Sequence, residues 1–486
     1  MKWTKEALYT PIEKAADGFL KELREKVDAC PWRQAYHIQP ETGLLNDPNG
    51  FSYFNGRYHL FYQWFPLGPV HGLKYWRHLT STDLVDWEDL GTALKPDTKM
   101  DSHGAYSGSG IVKDGELYLM YTGNHRDENW VRIPTQLLAK VSPDGSIAKH
   151  PEPVIPHVPQ GYTEHFRDPK VWESDGSYYA IIGAQRADQT GCAVLYQSKD
   201  LHHWTFLGEL QSENNNFGYM WECPDYFEIN GNGVLVFSPQ GLDPIGNSCN
   251  NIYQSGYMVG EKLNLPSLEW SHQRFVELDQ GFDFYAPQTM EDPNGRRILV
   301  AWMGLPDISY PTDENGWASV MTLPRELSLK NGKLYQKPIS ELESLRKSSH
   351  TIERKLKCET FQSGSGKHYE LQCAFNQKSG CCGLNLRVGN GEKTVFTWDC
   401  QQKTLTLDRS RSGIIPAADF GTQRTVSYEK DHLDLRIFMD SSSIEIFVNE
   451  GEEVFSARIF PTNPQNGIEL FATDTCRAKL TKYEVI

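Results

Sequence analysis

The chain has 486 residues and a formal net charge of −15 at pH 7, and no Lys/Arg-rich run offsets this charge. An acidic surface repels nucleic acid and anionic membranes, so we expect neither as a partner. No apolar run is long enough to span a bilayer. The ten Cys are scattered, without the dense spacing of a small disulfide-bonded fold. Because the first residues also lack an apolar signal segment, we expect a reduced, cytoplasmic protein of two domains.

Residues 1–30 predict one amphipathic helix. Its apolar residues recur at helical spacing, with Lys and Glu on the opposite face: Ile12, Ala15, Ala16, Phe19, Leu20, Leu23 and Val27. Pro31 predicts the end of this helix. We expect it to pack on the outside of the main domain, and a partner-binding helix is the alternative.

Residues 31–338 contain five turn dipeptides at intervals of about 60 residues. They are Asn55-Gly56, Asp114-Gly115, Asp175-Gly176, Asn230-Gly231 and Asn294-Gly295. Such dipeptides favour the pair of positive φ angles that a tight β-hairpin needs. Aromatic and β-branched strands follow each turn. Repeats of this length are typical of four-stranded propeller blades, so the sequence predicts a five-bladed β-propeller.

A polar segment precedes each of these turns and should form the innermost strand of its blade. One residue of each segment would then face a single central cavity: Asp47, Ser107, Asp168, Glu222 and Tyr285. After a polar linker over 339–353, expected to be helical, residues 354–486 show short alternating strands. This pattern predicts a β-sandwich, and therefore an all-β fold with only a short N-terminal helix.

Three carboxylates that converge on one cavity suit glycosidic bond cleavage. That reaction needs a carboxylate nucleophile or base and a protonated carboxylic acid for the leaving oxygen. Arg167 would keep neighbouring Asp168 ionised. Met220, Trp221, Cys223 and Pro224 surround Glu222 in sequence, and we expect such surroundings to favour its acid form. A sugar-binding propeller without catalysis is the alternative from another class.

The motifs around these carboxylates resemble the signatures of glycoside hydrolase family 32. They are Leu45-Asn46-Asp47-Pro48-Asn49-Gly50, Phe166-Arg167-Asp168-Pro169 and Trp221-Glu222-Cys223-Pro224, with Tyr106-Ser107-Gly108-Ser109 and Asp283-Phe284-Tyr285-Ala286 as two more. The resemblance implies a propeller followed by a β-sandwich, acting on β-fructofuranosides with retention. By motif, Asp47 resembles the nucleophile, Glu222 the acid/base and Asp168 the transition-state stabiliser. The implied substrate contacts are Leu44, Leu45, Asn46, Gln63, Trp76, Tyr106, Ser107, Arg167 and Tyr285.

The segment from Gly123 to Arg132 resembles the intracellular bacterial branch of the family, which acts on sucrose 6-phosphate. The candidate phosphate contacts are Lys74, Arg126 and Arg132, although the two Arg could instead pair with Asp127 or Glu128. Fructan exo-hydrolysis and fructosyl transfer remain alternatives on the same scaffold. We expect no cofactor and no metal, since no zinc or calcium ligand spacing occurs. Monomer and homodimer both remain open.

Overall fold

The computed structural model describes residues 3–212, 217–265, 267–462, 464 and 466–486. In these ranges the chain is mostly β-structure, and the predicted all-β class is confirmed: five blades surround a channel and a β-sandwich follows. Two short helices precede the propeller, α1 (Lys5–Leu8) and α2 (Phe19–Asp28). Short 3₁₀ helices lie at Ile12–Lys14, Lys99–Asp101, Pro311–Asn315, Ser340–Leu345 and Ala418–Phe420.

Each of the first four blades is an antiparallel sheet whose strands run from the channel outward in chain order. Blade 1 comprises β1 (Gly43–Phe54), β2 (Arg57–Phe65), β3 (Tyr75–Ser81) and β4 (Trp87–Leu94). Blade 2 comprises β5 (Ala105–Lys113), β6 (Glu116–Arg126), β7 (Arg132–Val141) and β8 (Ile147–Lys149). Blade 3 comprises β9 (Tyr162–Ser174), β10 (Ser177–Arg186), β11 (Gly191–Ser198) and β12 (Trp204–Glu209). Blade 4 comprises β13 (Met220–Ile229), β14 (Asn232–Gln240), β15 (Gly256–Glu261) and β16 (Val276–Glu277).

Blade 5 closes the ring. It comprises β17 (Tyr285–Glu291), β18 (Arg297–Met303), β20 (Val320–Met321), β21 (Arg325–Lys330) and β22 (Lys333–Pro338), while the intervening β19 (Trp317–Ala318) leaves the blade. β19 pairs in parallel with β1, so the last blade is hydrogen-bonded to the first. Apolar clusters fill the spaces between neighbouring blades, and Trp76, Trp221 and Trp302 are fully buried in them.

The predicted hairpin turns join the two innermost strands of each blade. In the first four blades the two central residues both have positive φ, for example 49° at Asn55 and 77° at Gly56. Each of these turns is a two-residue connection, with Phe54 paired to Arg57 in blade 1. Blade 5 differs because its loop spans 292–296, and there only Gly295 has positive φ.

Every inner strand is interrupted by a bulge at its candidate site residue. The ladder shifts register between Leu45 and Pro48 in β1, and the other four inner strands shift at the equivalent point. In four blades a proline follows the bulge, and proline cannot donate to the ladder. The residues before Pro169, Pro224 and Pro287 have positive φ. The bulges therefore turn polar side chains out of the sheet and into the channel.

The single N-terminal helix predicted over residues 1–30 is wrong. The described part of this segment is broken, because Ala15 is extended and Gly18 has a φ of 82° ahead of α2. The backbone N–H of Ile12 donates to the Tyr75 hydroxyl of blade 1 at 2.9 Å, so packing on the propeller replaces helical bonding. Asp17-Gly18 is itself a turn dipeptide, a signal that the apolar periodicity concealed.

The C-terminal sandwich is organised around a long antiparallel pair, β23 (Arg346–Ser365) and β32 (Gly467–Val485). One half of β32 also pairs with β25 and the other half with β24, so this pair is shared by two sheets. The remaining strands are β24 (Tyr369–Gln377), β25 (Cys381–Gly389), β26 (Glu392–Asp399), β27 (Thr404–Arg411), β28 (Gln423–Ser427), β29 (His432–Met439), β30 (Ser443–Val448) and β31 (Glu453–Arg458). Residues 346–353, predicted as a helical linker, instead form the start of β23, because β32 supplies a hydrogen-bonding partner there.

Buried ion pairs join the sandwich to the propeller. His37 lies 2.8 Å from Asp440 and 3.1 Å from Glu445, and all three side chains are fully buried. Arg325 of β21 donates to Glu445 of β30 and to Asp279, at 2.7 and 3.0 Å. Buried charges of this kind are strongly destabilising when one partner is removed, so the two domains are held in a defined orientation.

Candidate active site

Asp47 lies at the bulge of β1 and is held by three side-chain donors. Its Oδ2 accepts hydrogen bonds from the Ser107 hydroxyl at 2.5 Å and from Gln63 Nε2 at 3.3 Å. Its Oδ1 accepts from Asn46 Nδ2 at 3.1 Å. Gln63 also donates to Ser107 Oγ, which leaves the hydroxyl proton of Ser107 directed at Asp47. This network fixes the carboxylate in one orientation.

Burial raises the pKa of Asp47 above its ordinary value, and the Ser107 hydrogen bond opposes this effect. The charge of Glu222 raises the Asp47 pKa further. Lys74, named as a phosphate candidate, is only 3% exposed, and its ammonium donates to Asn46 Oδ1 at 2.6 Å. Burial lowers the pKa of Lys74 to about 7, against the opposing charge of Asp47. Lys74 is therefore part of the Asp47 network and not of the rim.

Glu222 lies at the bulge of β13 and is held by residues of the two neighbouring blades. The Arg167 guanidinium donates to Glu222 Oε1 from Nε at 2.9 Å and from Nη2 at 2.7 Å. The Tyr285 hydroxyl donates to Oε2 at 2.6 Å. The immediate contacts of the carboxyl are thus polar, unlike the apolar surroundings expected from its sequence neighbours.

Asp168 has a φ of 67°, a strained conformation for a residue other than Gly. Its backbone N–H donates to Thr122 Oγ1 at 3.0 Å, and its Oδ2 accepts from the backbone N–H of Cys223 at 3.1 Å. Burial raises the pKa of Asp168 to about 7. The charge of Arg167 lowers this pKa, as expected, but its hydrogen bonds go to Glu222. The effect of burial on Asp168 therefore outweighs the effect of Arg167.

Cys223 lies between two of the carboxylates. Its Sγ is 3.8 Å from Asp47 Oδ2 and 3.7 Å from Asp168 Oδ2. Burial raises the pKa of this thiol well above its ordinary value, and the neighbouring carboxylates add to the effect. A thiol held in its neutral form is a poor nucleophile, so Cys223 packs and separates the carboxylates.

Three predicted substrate contacts lie in the apolar cores. Leu45 and Trp76 have no accessible surface, and Leu44 is 4% exposed. The two Leu pack with aromatic residues of blade 1, and Trp76 packs between blades 1 and 2, where its indole N–H donates to the Tyr106 carbonyl at 3.1 Å. In this structure these three residues therefore contribute to the packing that supports the site.

The rim of blade 2 carries the two Arg named as phosphate candidates. Arg126 and Arg132 are directly opposite each other at the end of the β6–β7 ladder. Both Nε atoms are buried and have no hydrogen-bond partner. Within the described ranges neither guanidinium forms an ion pair, and Asp127 instead accepts the backbone N–H groups of Asn129 and Val131. The alternative in which the two Arg pair with Asp127 or Glu128 is therefore wrong.

Several residues near the rim had no signal in the sequence. His165 accepts from Arg167 Nη1 at 3.1 Å, and burial lowers the pKa of His165 to about 4. Tyr9, His103 and Trp130 form a group of ring contacts beside Arg126. Their positions in the chain are far apart, and no motif joins them, so only the folded blade brings them together.

No helix in the part of the chain that the structure describes is both long and apolar enough to cross a bilayer. The same ranges contain no group of three or more His, Cys, Asp or Glu arranged to hold a metal ion.

The chain belongs to glycoside hydrolase family 32, and the predicted resemblance is confirmed. The model of the glycosyl hydrolases family 32 N-terminal domain matches residues 37–338, and that of the family 32 C-terminal domain matches residues 341–486. Together they span both the propeller and the sandwich. The chain is therefore a glycoside hydrolase.

The similar proteins narrow this class. A sucrose-6-phosphate hydrolase of Staphylococcus xylosus is 48% identical, over 100% of this chain and 99% of its own length. The solved structure of sucrose-6-phosphate hydrolase from Lactobacillus gasseri has a TM-score of 0.94 and 38% identity, covering 100% of this chain and 99% of that one. A β-fructofuranosidase mutant of Bombyx mori in complex with sucrose has a TM-score of 0.83 and 33% identity, covering 97% and 99%.

Proposed function

We propose that this chain is a retaining β-fructofuranosidase that hydrolyses sucrose 6-phosphate, and also sucrose, to fructose and glucose 6-phosphate or glucose. The observation that carries the proposal is the convergence of Asp47, Asp168 and Glu222 at the bulges of three blades. Each has a different set of partners, as expected when three carboxylates divide three roles. The similarity to named sucrose-6-phosphate hydrolases supports the same substrate class.

In the first step Asp47 attacks the anomeric carbon of the fructosyl unit while Glu222 donates a proton to the departing oxygen. The product of this step is a covalent fructosyl-Asp47 ester. In the second step Glu222 takes a proton from water, and the hydroxide releases fructose with retained configuration. The donors on Asp47 hold one oxygen ready for attack, and Arg167 and Tyr285 orient the Glu222 carboxyl.

Asp168 stabilises the oxocarbenium-like transition state through hydroxyl groups of the fructosyl ring. The backbone N–H of Cys223 and the left-handed conformation of Asp168 fix its carboxyl before substrate binds. A preorganised group of this kind lowers the barrier without reorganising during the reaction.

The proposal is tested with Asp47→Asn and Glu222→Gln, followed by the release of fructose from sucrose 6-phosphate. We expect kcat to fall by several orders of magnitude in both variants. Glu228→Gln is the matched control, because Glu228 lies on the same strand and pairs with Lys262 on the surface. With an activated fructosyl donor whose leaving group needs no proton from Glu222, the first step remains possible in Glu222→Gln while the second is slowed, and mass spectrometry should then detect one fructosyl unit on Asp47.

Other outcomes would change the assignment. Inverted product would contradict the double displacement. Release of fructose from inulin at a higher rate than from sucrose or sucrose 6-phosphate would favour the exo-hydrolase alternative. Binding of sucrose 6-phosphate without turnover by the wild-type chain would favour a non-catalytic sugar-binding propeller.

The phosphate of the leaving group would bind between Arg126 and Arg132. Two like charges directly opposite on a ladder destabilise each other unless an anion lies between them. Burial lowers the pKa of Arg132, and Arg167 and Arg126 are among the charges that add to this effect. Arg132 lies over the ring of Tyr106, one of the predicted substrate contacts, at 5.8 Å.

Arg126→Ala and Arg132→Ala should each reduce kcat/KM for sucrose 6-phosphate by about 10- to 100-fold while sparing sucrose, because each removes a charge-assisted contact. Lys140→Ala is the matched control, since Lys140 is on β7 and forms a surface ion pair with Glu116. Equal losses on both substrates would show that these Arg support the blade and do not bind phosphate.

The ten Cys are all free thiols, a state that the cytoplasm maintains. Together with a phosphorylated substrate, which arises inside cells, this supports a cytoplasmic location. The test is to extract the protein in the presence of an alkylating reagent and to count the modified Cys. Disulfide-bonded Cys, which would escape alkylation, would argue against that compartment.

A further inference from the structure

Residues 3–15 form an N-terminal strap across blades 1 and 2. Trp3 packs edge-on against Phe65 with ring centroids 5.6 Å apart. The backbone carbonyl of Leu8 accepts the N–H of Leu73 at 2.8 Å, and Ile12 is bonded to the Tyr75 hydroxyl. The strap is thus fixed to blade 1 at several points along its length. It lies before residue 37, where the family-wide domain begins.

The same strap reaches the rim of blade 2 through two side chains. The Tyr9 ring lies 5.3 Å from the Trp130 ring, edge-on, and 5.4 Å from the His103 ring. The Lys5 ammonium lies 3.0 Å from the centroid of the Trp130 ring. Both contacts are made to a loop that belongs to another blade.

Trp130 in turn holds Arg126. Its backbone carbonyl accepts from Arg126 Nη1 at 2.9 Å, and its ring lies 5.1 Å from the Arg126 guanidinium carbon. Trp130 has a φ of 67°, a strained conformation for a residue other than Gly that needs support from its surroundings. The strap supplies that support from outside the blade.

We propose that the N-terminal strap is a specificity element for the leaving group, with Tyr9 and Lys5 acting as positioning residues for the Trp130 loop. By holding Trp130, they keep Arg126 directed at a phosphate on the departing sugar. Among the residues described, the side-chain hydrogen bonds and ion pairs of the strap involve none of Asp47, Asp168 and Glu222, so hydrolysis of an unphosphorylated substrate should depend on the strap little. This inference rests on the proposed function.

The test measures kcat and KM for sucrose 6-phosphate and for sucrose in Tyr9→Ala, Tyr9→Phe and Lys5→Ala. We expect Tyr9→Ala to raise KM for sucrose 6-phosphate by about tenfold, with kcat little changed, and to leave sucrose within about twofold. Tyr9→Phe keeps both ring contacts and should behave like wild type. Lys5→Ala should show the same selective change, by about threefold. Lys14→Ala, an exposed change on the same strap, is the matched control.

Glucose 6-phosphate as a competitive inhibitor gives a second readout that does not depend on turnover. Its Ki should rise with Tyr9→Ala in parallel with KM, even if the variant is less stable to heat. Equal losses on both substrates, an unchanged Ki, or a Tyr9→Phe variant as impaired as Tyr9→Ala would overturn the inference alone. Absence of hydrolysis of either sugar by the wild-type chain would overturn the proposed function, and this inference with it.

Discussion

Ser107→Ala separates the ionisation of the proposed nucleophile from substrate binding. The Ser107 hydroxyl donates to Asp47 Oδ2 at 2.5 Å and is itself fixed by Gln63, so its proton has one direction available. Burial already raises the pKa of Asp47, and this hydrogen bond is the largest opposing effect. Without it, the ionised form that must attack the fructosyl unit is less favoured.

The expected size follows from the type of contact. A hydrogen bond to a charged group is worth about 1.5–3 kcal/mol, which corresponds to a 10- to 150-fold change in the balance between the two protonation states. The pKa of Asp47 therefore rises further in the variant. The loss in kcat/KM should be large in acid, where the carboxyl becomes protonated, and should shrink as pH rises.

The assay is kcat/KM for sucrose between about pH 5 and about pH 8, expressed at each pH as the ratio of variant to wild type. Ser109→Ala is the matched control, because Ser109 is equally buried on β5 but donates to the Pro169 carbonyl and has no contact with Asp47. A ratio that stays constant with pH would refute the reasoning. Ser107 would then act only by binding the fructosyl unit.

Two further predictions concern the remaining charged groups. Asp168→Asn should lower kcat more than it raises KM, because its hydrogen bonds strengthen in the transition state, and steady-state kinetics on sucrose would check this. Burial alone would lower the pKa of His37, but Asp440 and Glu445 outweigh it and raise that pKa to about 9. Since the ordinary value is about 6.5, this stabilisation is fully present below pH 6.5 and is lost as pH rises through about 9. The gap in unfolding free energy between wild type and His37→Gln should shrink by an amount of the order of 3 kcal/mol across that window, as measured by denaturant unfolding, and a gap independent of pH would contradict it.

The features predictable from sequence are those carried by local chemistry. Asn-Gly and Asp-Gly dipeptides favour positive φ within two residues, so four hairpins were predictable with their turn type. Asp47, Asp168 and Glu222 each precede such a turn by a similar number of residues, which predicted equivalent positions on the inner strands without any knowledge of long-range contacts. The structure has a bulge at each of these positions. The same reasoning failed over residues 1–30, where the contact of Ile12 with Tyr75 overrides helical periodicity.

Partners from other blades were not predictable in this way. Thr122, which holds the backbone of Asp168, lies 46 residues from it, and neither residue's neighbours signal the contact. The family motif implied that Trp76 contacts the substrate. Which face of the sheet its side chain occupies depends on the register of β3 against β2 and β4. In this register the Trp76 side chain is buried between the blades. The hydrogen bond from Lys74, a phosphate candidate, to Asn46 was not predictable either, because the two residues lie 28 positions apart. Long-range register is therefore what the sequence pattern leaves undetermined.

One set of contacts connects the sandwich to the proposed acid/base in the channel. Asp283 precedes β17 and accepts hydrogen bonds from Arg409 Nη1 and from the backbone N–H of Arg458, both at 2.8 Å, and both residues belong to the sandwich. Tyr310 donates to its other oxygen at 2.7 Å. Two residues later, Tyr285 donates to Glu222. Because Asp283 is 1% exposed and fully paired, the start of β17 cannot shift without leaving a buried charge unsatisfied, so the sandwich fixes the position from which Tyr285 orients the proposed acid/base.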